Sequence, residues 1–365
     1  MQNLYINGTM LDERPTGLGV YIKNIVLELK KKNIKFKLFC PIEIEGVEVI
    51  KTTEKVKTSY KKKGGLYRFL WTQFLMPFKV NKNDIVYHPF QYLSLLTRAK
   101  QIITIHDFIP LYYPNVAKHQ YYYYKFIMPL LLKKADKIIC ISENTKNDII
   151  KFYNIDNNKI IRIYNGYDEE LFNTKNIDEN ILEKYNLDKE YFISVGAGYS
   201  HKNIETALLA FKNILKDNNC DYVIVGKESE YIKKLKEKVE ELGIHNNVKF
   251  VGYVADKDLP TLYNKAIAFI YPTLYEGFGL PILEAMACET LVLTSDNSSL
   301  PEVYGKSAID FNALDVEGIE KAMRISINRR DIREEYIVLS KKQLEKFNWE
   351  KTAGDIIKVF NELKK

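Results

Sequence analysis

Short apolar runs rich in Val, Ile, Phe and Tyr recur along the whole chain, each separated from the next by a stretch with helical spacing. They fall at residues 4–6, 35–39, 85–87, 102–105, 137–141 and 160–164, and again at 191–195, 221–225, 248–251, 268–271 and 290–294. A strand that is apolar on both faces must be covered on both faces, and a helix between consecutive strands makes them parallel. Two such series predict an α/β protein with two doubly wound, Rossmann-like domains. The length of 365 residues agrees, at roughly 100–200 residues per domain. The break is expected where Asn, Asp and Glu replace apolar periodicity, near 168–188, so the domains are read as 1–168 and 169–348. Ala353, Ile356, Val359, Phe360 and Leu363 recur at helical spacing. They predict a terminal amphipathic helix over 349–365, packing back on the N-terminal domain.

Composition narrows the class further. With 46% apolar and 28% charged residues the chain is an ordinary globular sequence, not a disordered or collagen-like one. The four cysteines stand far apart with no CxxC pair, which disfavours zinc and a disulfide framework. Neither a spanning apolar run of roughly 18 residues nor a signal peptide is visible, so the protein is expected in the cytoplasm. The net charge of +7 is uneven. Residues 1–165 carry 27 Lys+Arg and 13 Asp+Glu, hence +14, and the remainder carries −7.

The densest chemistry lies at Glu276-Gly277-Phe278-Gly279-Leu280-Pro281-Ile282-Leu283-Glu284. A strand closes at Tyr271, a glycine-bearing loop follows, and Pro281 stands where a first helical turn would begin. Backbone N–H groups of Gly277, Phe278, Gly279 and Leu280 would then point from a helix N-terminus carrying about half a positive charge, an arrangement suited to a diphosphate. The same spacing also describes a plain strand–turn–helix junction whose carboxylates merely favour the dipole. Spacing alone does not choose.

The residue identities add what spacing lacks. Glu276 and Glu284 enclose seven residues, and EGFGLPILEAMA resembles the donor-site motif of the group-one retaining glycosyltransferases, whose two-Rossmann GT-B fold has an interdomain cleft. Further stretches are similar in the family's order. Arg14-Pro15-Thr16-Gly17-Leu18-Gly19 looks like its N-terminal glycine loop, and His106-Asp107-Phe108-Ile109-Pro110 like its acceptor-side His–Asp loop. Ser142-Glu143-Asn144-Thr145 and Asn165-Gly166-Tyr167-Asp168 match its inter-motif signatures. Ser200-His201-Lys202-Asn203 matches its phosphate–lysine turn, and Phe347-Asn348-Trp349-Glu350 its closing helix.

That resemblance implies roles. Lys202 is expected to hold the donor's phosphates, with Gly196, His201, Gly17 and Gly19 nearby. Glu284 is expected to accept hydrogen bonds from ribose hydroxyls, and Glu276 and His106 to face the transferred sugar. Tyr253 and Val254, after Gly252, are expected beside the base. Many relatives carry Arg where this chain has Ala197; either His201 substitutes in part, or phosphate binding rests on Lys202 and backbone amides. No Asp-x-Asp pair occupies the position of a metal–diphosphate site, so neither a metal nor another cofactor is expected. The implied reaction moves a hexose from a nucleoside-diphosphate sugar to a saccharide acceptor, lipid-linked in surface polysaccharide synthesis, with retention at the anomeric carbon. The His–Asp loop looks most like relatives using GDP-mannose or a related GDP-sugar, with UDP-sugars as the alternative.

The basic half asks for its own partner. Residues 51–82 carry nine Lys and Arg against Glu54 alone, beside Leu66, Phe69, Leu70, Trp71, Phe74 and Phe78. Basic residues beside aromatic and aliphatic ones on a helix suit an anionic membrane surface. The plainer account is that the aromatics are core and the lysines a solvated face. Nucleic acid is not expected, since no helix-turn-helix, zinc-finger or aromatic-sheet signature occurs. Competing functions are a nucleotide-sugar epimerase, a phosphorylase and a non-catalytic nucleotide-sugar binder. Epimerases of this fold lack the paired glutamates, and a phosphorylase needs a longer chain.

Overall fold

The computed structural model describes residues 2–13, 17–115 and 118–364. They form two compact units, one built from residues up to Gly166 together with the segment from Trp349 onward, the other from Tyr167–Asn348.

The first unit holds seven parallel strands, β1 Leu4–Asn7, β2 Lys37–Cys40, β3 Glu48–Lys51, β4 Ile85–His88, β5 Lys100–Ile105, β6 Lys137–Cys140 and β7 Ile160–Arg162. Their order across the sheet is β3-β2-β1-β4-β5-β6-β7. The chain thus winds outward from β1 and returns to its other side at β4. Helix Leu18–Lys31 covers one face with Ile22, Ile25, Val26 and Leu29. Helix Trp349–Lys364 packs beside it, placing Ile356, Val359 and Phe360 in the same core, where the Phe360 ring meets Tyr87 edge-on at 5.5 Å.

The second unit holds six parallel strands, β8 Tyr191–Val195, β9 Asp221–Val225, β10 Val248–Gly252, β11 Ala268–Tyr271, β12 Val292–Ser295 and β13 Ile309–Phe311, in the order β10-β9-β8-β11-β12-β13. Helix Ile204–Ile214 contributes Ala207, Leu208, Phe211 and Ile214 to its core, packed on Phe192 and Tyr222. Eleven of the thirteen strands coincide with apolar runs of the sequence. The two that do not, β3 and β13, lie at sheet edges, where only one neighbour must be satisfied and little side-chain burial is required.

In each unit the strand order reverses beside the first strand, between β1 and β4 and between β8 and β11. Loops leaving the carboxyl ends of two such strands diverge and leave a crevice, the place where open α/β sheets bind ligands.

Candidate functional site

In the second unit, the loops after β8 and β11 flank that reversal. Gly196 leaves β8 at φ +80°, a left-handed conformation open to glycine, and the N–H groups of Gly196 and Ala197 both donate to the Val225 carbonyl at 2.9 and 3.1 Å. The chain then makes a tight turn, Ser200–Lys202, and Asn203 caps helix Ile204–Ile214 in the left-handed region. The Asn203 amide donates to the carbonyls of Pro272 at 3.0 Å and Ala313 at 2.7 Å, while Leu274 N–H donates to the His201 carbonyl at 2.8 Å. The two loops are braced to each other at several points.

That bracing brings Lys202 onto Glu276. The ammonium donates to Glu276 Oε1 at 2.6 Å and to the Tyr271 hydroxyl at 2.9 Å, and it lies 5.0 Å from the centre of the Tyr271 ring. Thr273 Oγ1 donates to the same carboxylate oxygen at 2.8 Å. Burial works to raise the Glu276 pKa, but the Lys202 charge and these hydrogen bonds outweigh it and hold the group below the usual glutamate value. His201 is buried, its ring stacked on Tyr199 at 5.8 Å, and burial lowers its pKa to about 4. It is neutral at pH 7, so it supplies no second cation beside Lys202.

Gly277 and Phe278 lead to Gly279, which caps helix Leu280–Ala287 at φ +113° without any side-chain cap. Ser299 Oγ lies 3.0 and 2.8 Å from the carbonyls of Glu276 and Phe278 and fixes the loop from behind. The helix N-terminus therefore faces the loops with its own amides, although Pro281 contributes none and Ile282 N–H turns back to the Gly279 carbonyl at 3.0 Å. One turn inside, Glu284 is half-buried and accepts from the Tyr263 hydroxyl at 3.2 Å. Desolvation raises its pKa to about 7; the Tyr263 bond opposes this, and the charges of Asp256 and Asp168 add to it. Gly252 ends β10 at φ +69°; beyond it Val254 is buried, and Tyr253 is exposed with Lys227 Nζ 5.1 Å from its ring centre.

Gly17, Gly19 and His106 belong to the first unit. Gly17 caps helix Leu18–Lys31 at φ +42°, and Gly19 is buried in its first turn; Arg14, Pro15 and Thr16 lie outside the described residues. His106 follows β5 directly. Its Nε2–H donates to the Pro89 carbonyl at 2.8 Å, its ring meets Tyr21 edge-on at 4.7 Å, and burial lowers its pKa to about 4 against the effect of that carbonyl. A neutral ring donating through Nε2 presents Nδ1 as an acceptor. Lys202, Glu276 and the glycine loop thus meet within one unit, while His106 and the N-terminal glycines sit at the corresponding end of the other sheet.

Residues 15–171 match the model of Glycosyltransferase Family 4, and residues 177–343 that of Glycosyl transferases group 1. The chain belongs to the group-one glycosyltransferase family. It is 32% identical over 224 residues to the O-antigen chain mannosyltransferase RfbU of Salmonella typhimurium, covering 61% of this chain and 60% of that one. The serotype-specific mannosyltransferase WbdA of Escherichia coli is 30% identical over 278 residues, covering 72% of this chain and 34% of the relative. The chain therefore spans less than two thirds of either relative. Anabaena HepE, solved in complex with UDP and glucose, superposes with a TM-score of 0.76 at 15% identity, over 99% of this chain and 100% of that one. At that identity the likeness is one of fold, the GT-B arrangement of two parallel-sheet domains.

Several residues around the paired side chains carry no signal of their own in the sequence. Tyr271 reads as the last residue of an apolar strand, yet its hydroxyl shares the Lys202 ammonium. Thr273 reads as loop, yet it fixes the Glu276 carboxylate. Asn203 could have been noticed as a residue tolerant of the left-handed cap, but its two carbonyl partners lie 69 and 110 residues away.

Proposed function

We propose that the protein transfers a hexose from a nucleoside-diphosphate sugar, GDP-mannose or a related GDP-sugar, to a hydroxyl of a lipid-linked saccharide in surface polysaccharide synthesis, with retention. The observation that carries this reading is the Lys202 ammonium held on Glu276 beside the N-terminus of helix Leu280–Ala287, at the strand-order reversal of the second sheet. The named activities of RfbU and WbdA support mannose as the transferred sugar.

An ammonium has three donors, and Glu276 and Tyr271 take two. The third remains for a phosphate oxygen. As the bond from the anomeric carbon to the β-phosphate oxygen breaks, negative charge collects on that phosphate, and Lys202 and the amides of Gly277–Leu280 stabilise it. These groups serve where other transferases place a divalent cation, so the reaction needs no metal in this reading. The acceptor oxygen bonds to the anomeric carbon on the face the phosphate leaves, and its proton passes to the departing phosphate. Glu276 accepts from sugar hydroxyls, and Glu284 from the ribose.

The test is to incubate the protein with GDP-mannose or UDP-glucose and a lipid-linked saccharide, with and without EDTA, and assign the anomeric configuration of the product. A thermal-shift series with GDP and UDP runs alongside, since a ligand at 100 times its dissociation constant stabilises by about 2.7 kcal/mol. Transfer from UDP-glucose alone overturns the donor, and an inverted product overturns the mechanism. Nucleotide binding without transfer to any saccharide reduces the protein to a binder.

A further inference from the structure

Helix Lys61–Leu70 of the first unit holds two consecutive glycines, Gly64 and Gly65, near its start. Glycine is a poor helix residue, so each calls for a reason. Gly64 has one in packing, since a Cβ there would stand 2.5 Å from the Lys57 carbonyl oxygen. Gly65 has no such clash. Beyond the helix backbone, a Cβ there would meet the Tyr92 hydroxyl at 3.5 Å and Arg68 Nη2 at 3.8 Å, both ordinary contacts. Gly65 is itself partly exposed. What its missing side chain leaves open is the approach to those two polar groups.

Arg68 lies three residues further on and is only 7% exposed. Its Nη1 donates to the Val56 carbonyl at 2.6 Å, and the guanidinium also hydrogen-bonds the Tyr92 hydroxyl. Nε is buried with no hydrogen-bond partner among the described residues. No carboxylate offsets the loss of water, which pushes the guanidinium pKa down against the effect of Tyr92. Between Glu48 and Asp84 the one acid is Glu54, and Lys57 holds it. A buried cation without a counter-ion is costly, and it is kept where something repays the cost. In a guanidinium, Nε–H and one N–H of Nη2 point the same way and match the two oxygens of a carboxylate or phosphate. With Nη1 turned to Val56, that edge is the one that remains for a ligand.

These groups meet at the carboxyl end of the first sheet. Val56 closes the turn Glu54–Val56 that follows β3, and Tyr92 stands in the loop after β4. The same loop supplies the Pro89 carbonyl to which His106 donates, and its Gln91 carbonyl accepts from the Tyr123 hydroxyl at 2.6 Å. Just beyond Val56, Thr58 Oγ1 and Ser59 N–H donate to Asp12, past the end of β1, at 2.8 and 3.2 Å. Loops at this end of an open parallel sheet are where such folds bind ligands. The loops that carry Lys202 and Glu276 belong to the second unit. An anion taken up here is therefore not the donor's diphosphate, and the remaining substrate is the saccharide acceptor.

We infer that the Nε–Nη2 edge of Arg68, with the Tyr92 hydroxyl, binds an oxyanion of the acceptor, a phosphate or a sugar carboxylate, through the gap at Gly65. Assigning the anion to the acceptor rests on the transferase reading; the anion site itself does not. The full chain, isotope-labelled at its arginine nitrogens, is titrated with methyl phosphate, glucuronate and methyl mannoside while the Nε–H resonances are followed. Arg68→Lys identifies the signal of Arg68. That signal is expected to shift with an anion and not with the neutral mannoside, and the tighter of the two anions tells a phosphate-bearing acceptor from an acidic sugar. Gly65→Ala should move two readouts in opposite directions. Its melting temperature rises, because Ala is the better helix former, while anion affinity falls by about tenfold as the methyl covers Nη2 and the Tyr92 hydroxyl. In transfer assays Arg68→Lys should raise the acceptor KM by about tenfold with little change in kcat. GDP affinity, unchanged in both variants, separates failure here from failure of the donor reading. No shift with either anion, an equal shift with the mannoside, or wild-type anion affinity in Gly65→Ala overturns the inference. An anion site with an unchanged acceptor KM overturns its assignment to the acceptor.

Discussion

The Lys202 ammonium lies 2.6 Å from Glu276 Oε1, with both side chains largely withdrawn from solvent. In a sheltered site an ammonium and a carboxylate hold each other charged, and removing one leaves the other stranded. Lys202→Ala is therefore expected to act twice. Transfer should slow on the order of a hundredfold or more, because one preorganised donor to a developing anion is worth about 3–4 kcal/mol. The protein should also lose stability, by about 3 kcal/mol, as Glu276 is left buried and unpaired. Denaturant melts read the second effect and steady-state rates the first. A variant as active as the wild type removes Lys202 from the mechanism.

Tyr271→Phe separates the ring from the hydroxyl. The ring beneath Lys202 remains, while the acceptor at 2.9 Å is lost. A hydrogen bond from a charged donor contributes about 1.5–3 kcal/mol, part of which the ammonium recovers through Glu276 and solvent. The expected outcome is a rate loss of roughly three- to tenfold, well short of that for Lys202→Ala, with little change in the acceptor KM. A loss as large as that of the lysine variant would mean that the hydroxyl touches the donor itself.

Gly279 is held at φ +113°, and a Cβ there would stand 2.8 Å from Leu300 Cδ2. Gly279→Ala thus meets backbone strain and a contact with a side chain in the core. A cost of about 1–3 kcal/mol is expected, with reorientation of the amides ahead of helix Leu280–Ala287. Melting temperature and GDP affinity should fall together. Unchanged affinity in a destabilised variant would show that those amides do not meet the phosphates.

These side chains mark where reading the sequence stops. The strands were readable because apolar runs between helices have few other uses, and β3 escaped because Glu48-Val49-Ile50-Lys51 presents only two apolar residues at an edge. Glu276 and the glycines were readable as a local pattern. The partnership of Lys202 with Glu276 was not, because 74 residues separate them. It arises only because β8 and β11 are neighbours in the sheet, and strand order is a property of the whole fold. The exposure of Phe74 and Phe78 was hidden for a similar reason. Helical spacing says that a face is apolar, whereas only the packed structure says that nothing among the described residues covers it.

Glu284 should make the proposed donor site sensitive to pH. Its folded pKa, raised by desolvation to about 7, lies above the ordinary glutamate value of 4.5. Between those two values the folded protein binds more protons than the unfolded chain, so stability falls as pH rises through the window. Glu284→Gln should flatten that fall and be the more stable protein at pH 8, by on the order of 2 kcal/mol. The nucleotide is expected to show the opposite trend. Ribose hydroxyls donate best to a charged carboxylate, so wild-type affinity for GDP should rise from pH 6 to pH 8 and donor binding should release protons. Titration calorimetry in buffers of different ionisation heat measures that release directly. An affinity independent of pH in the wild type, or equally pH-dependent in Glu284→Gln, would remove Glu284 from contact with the ribose.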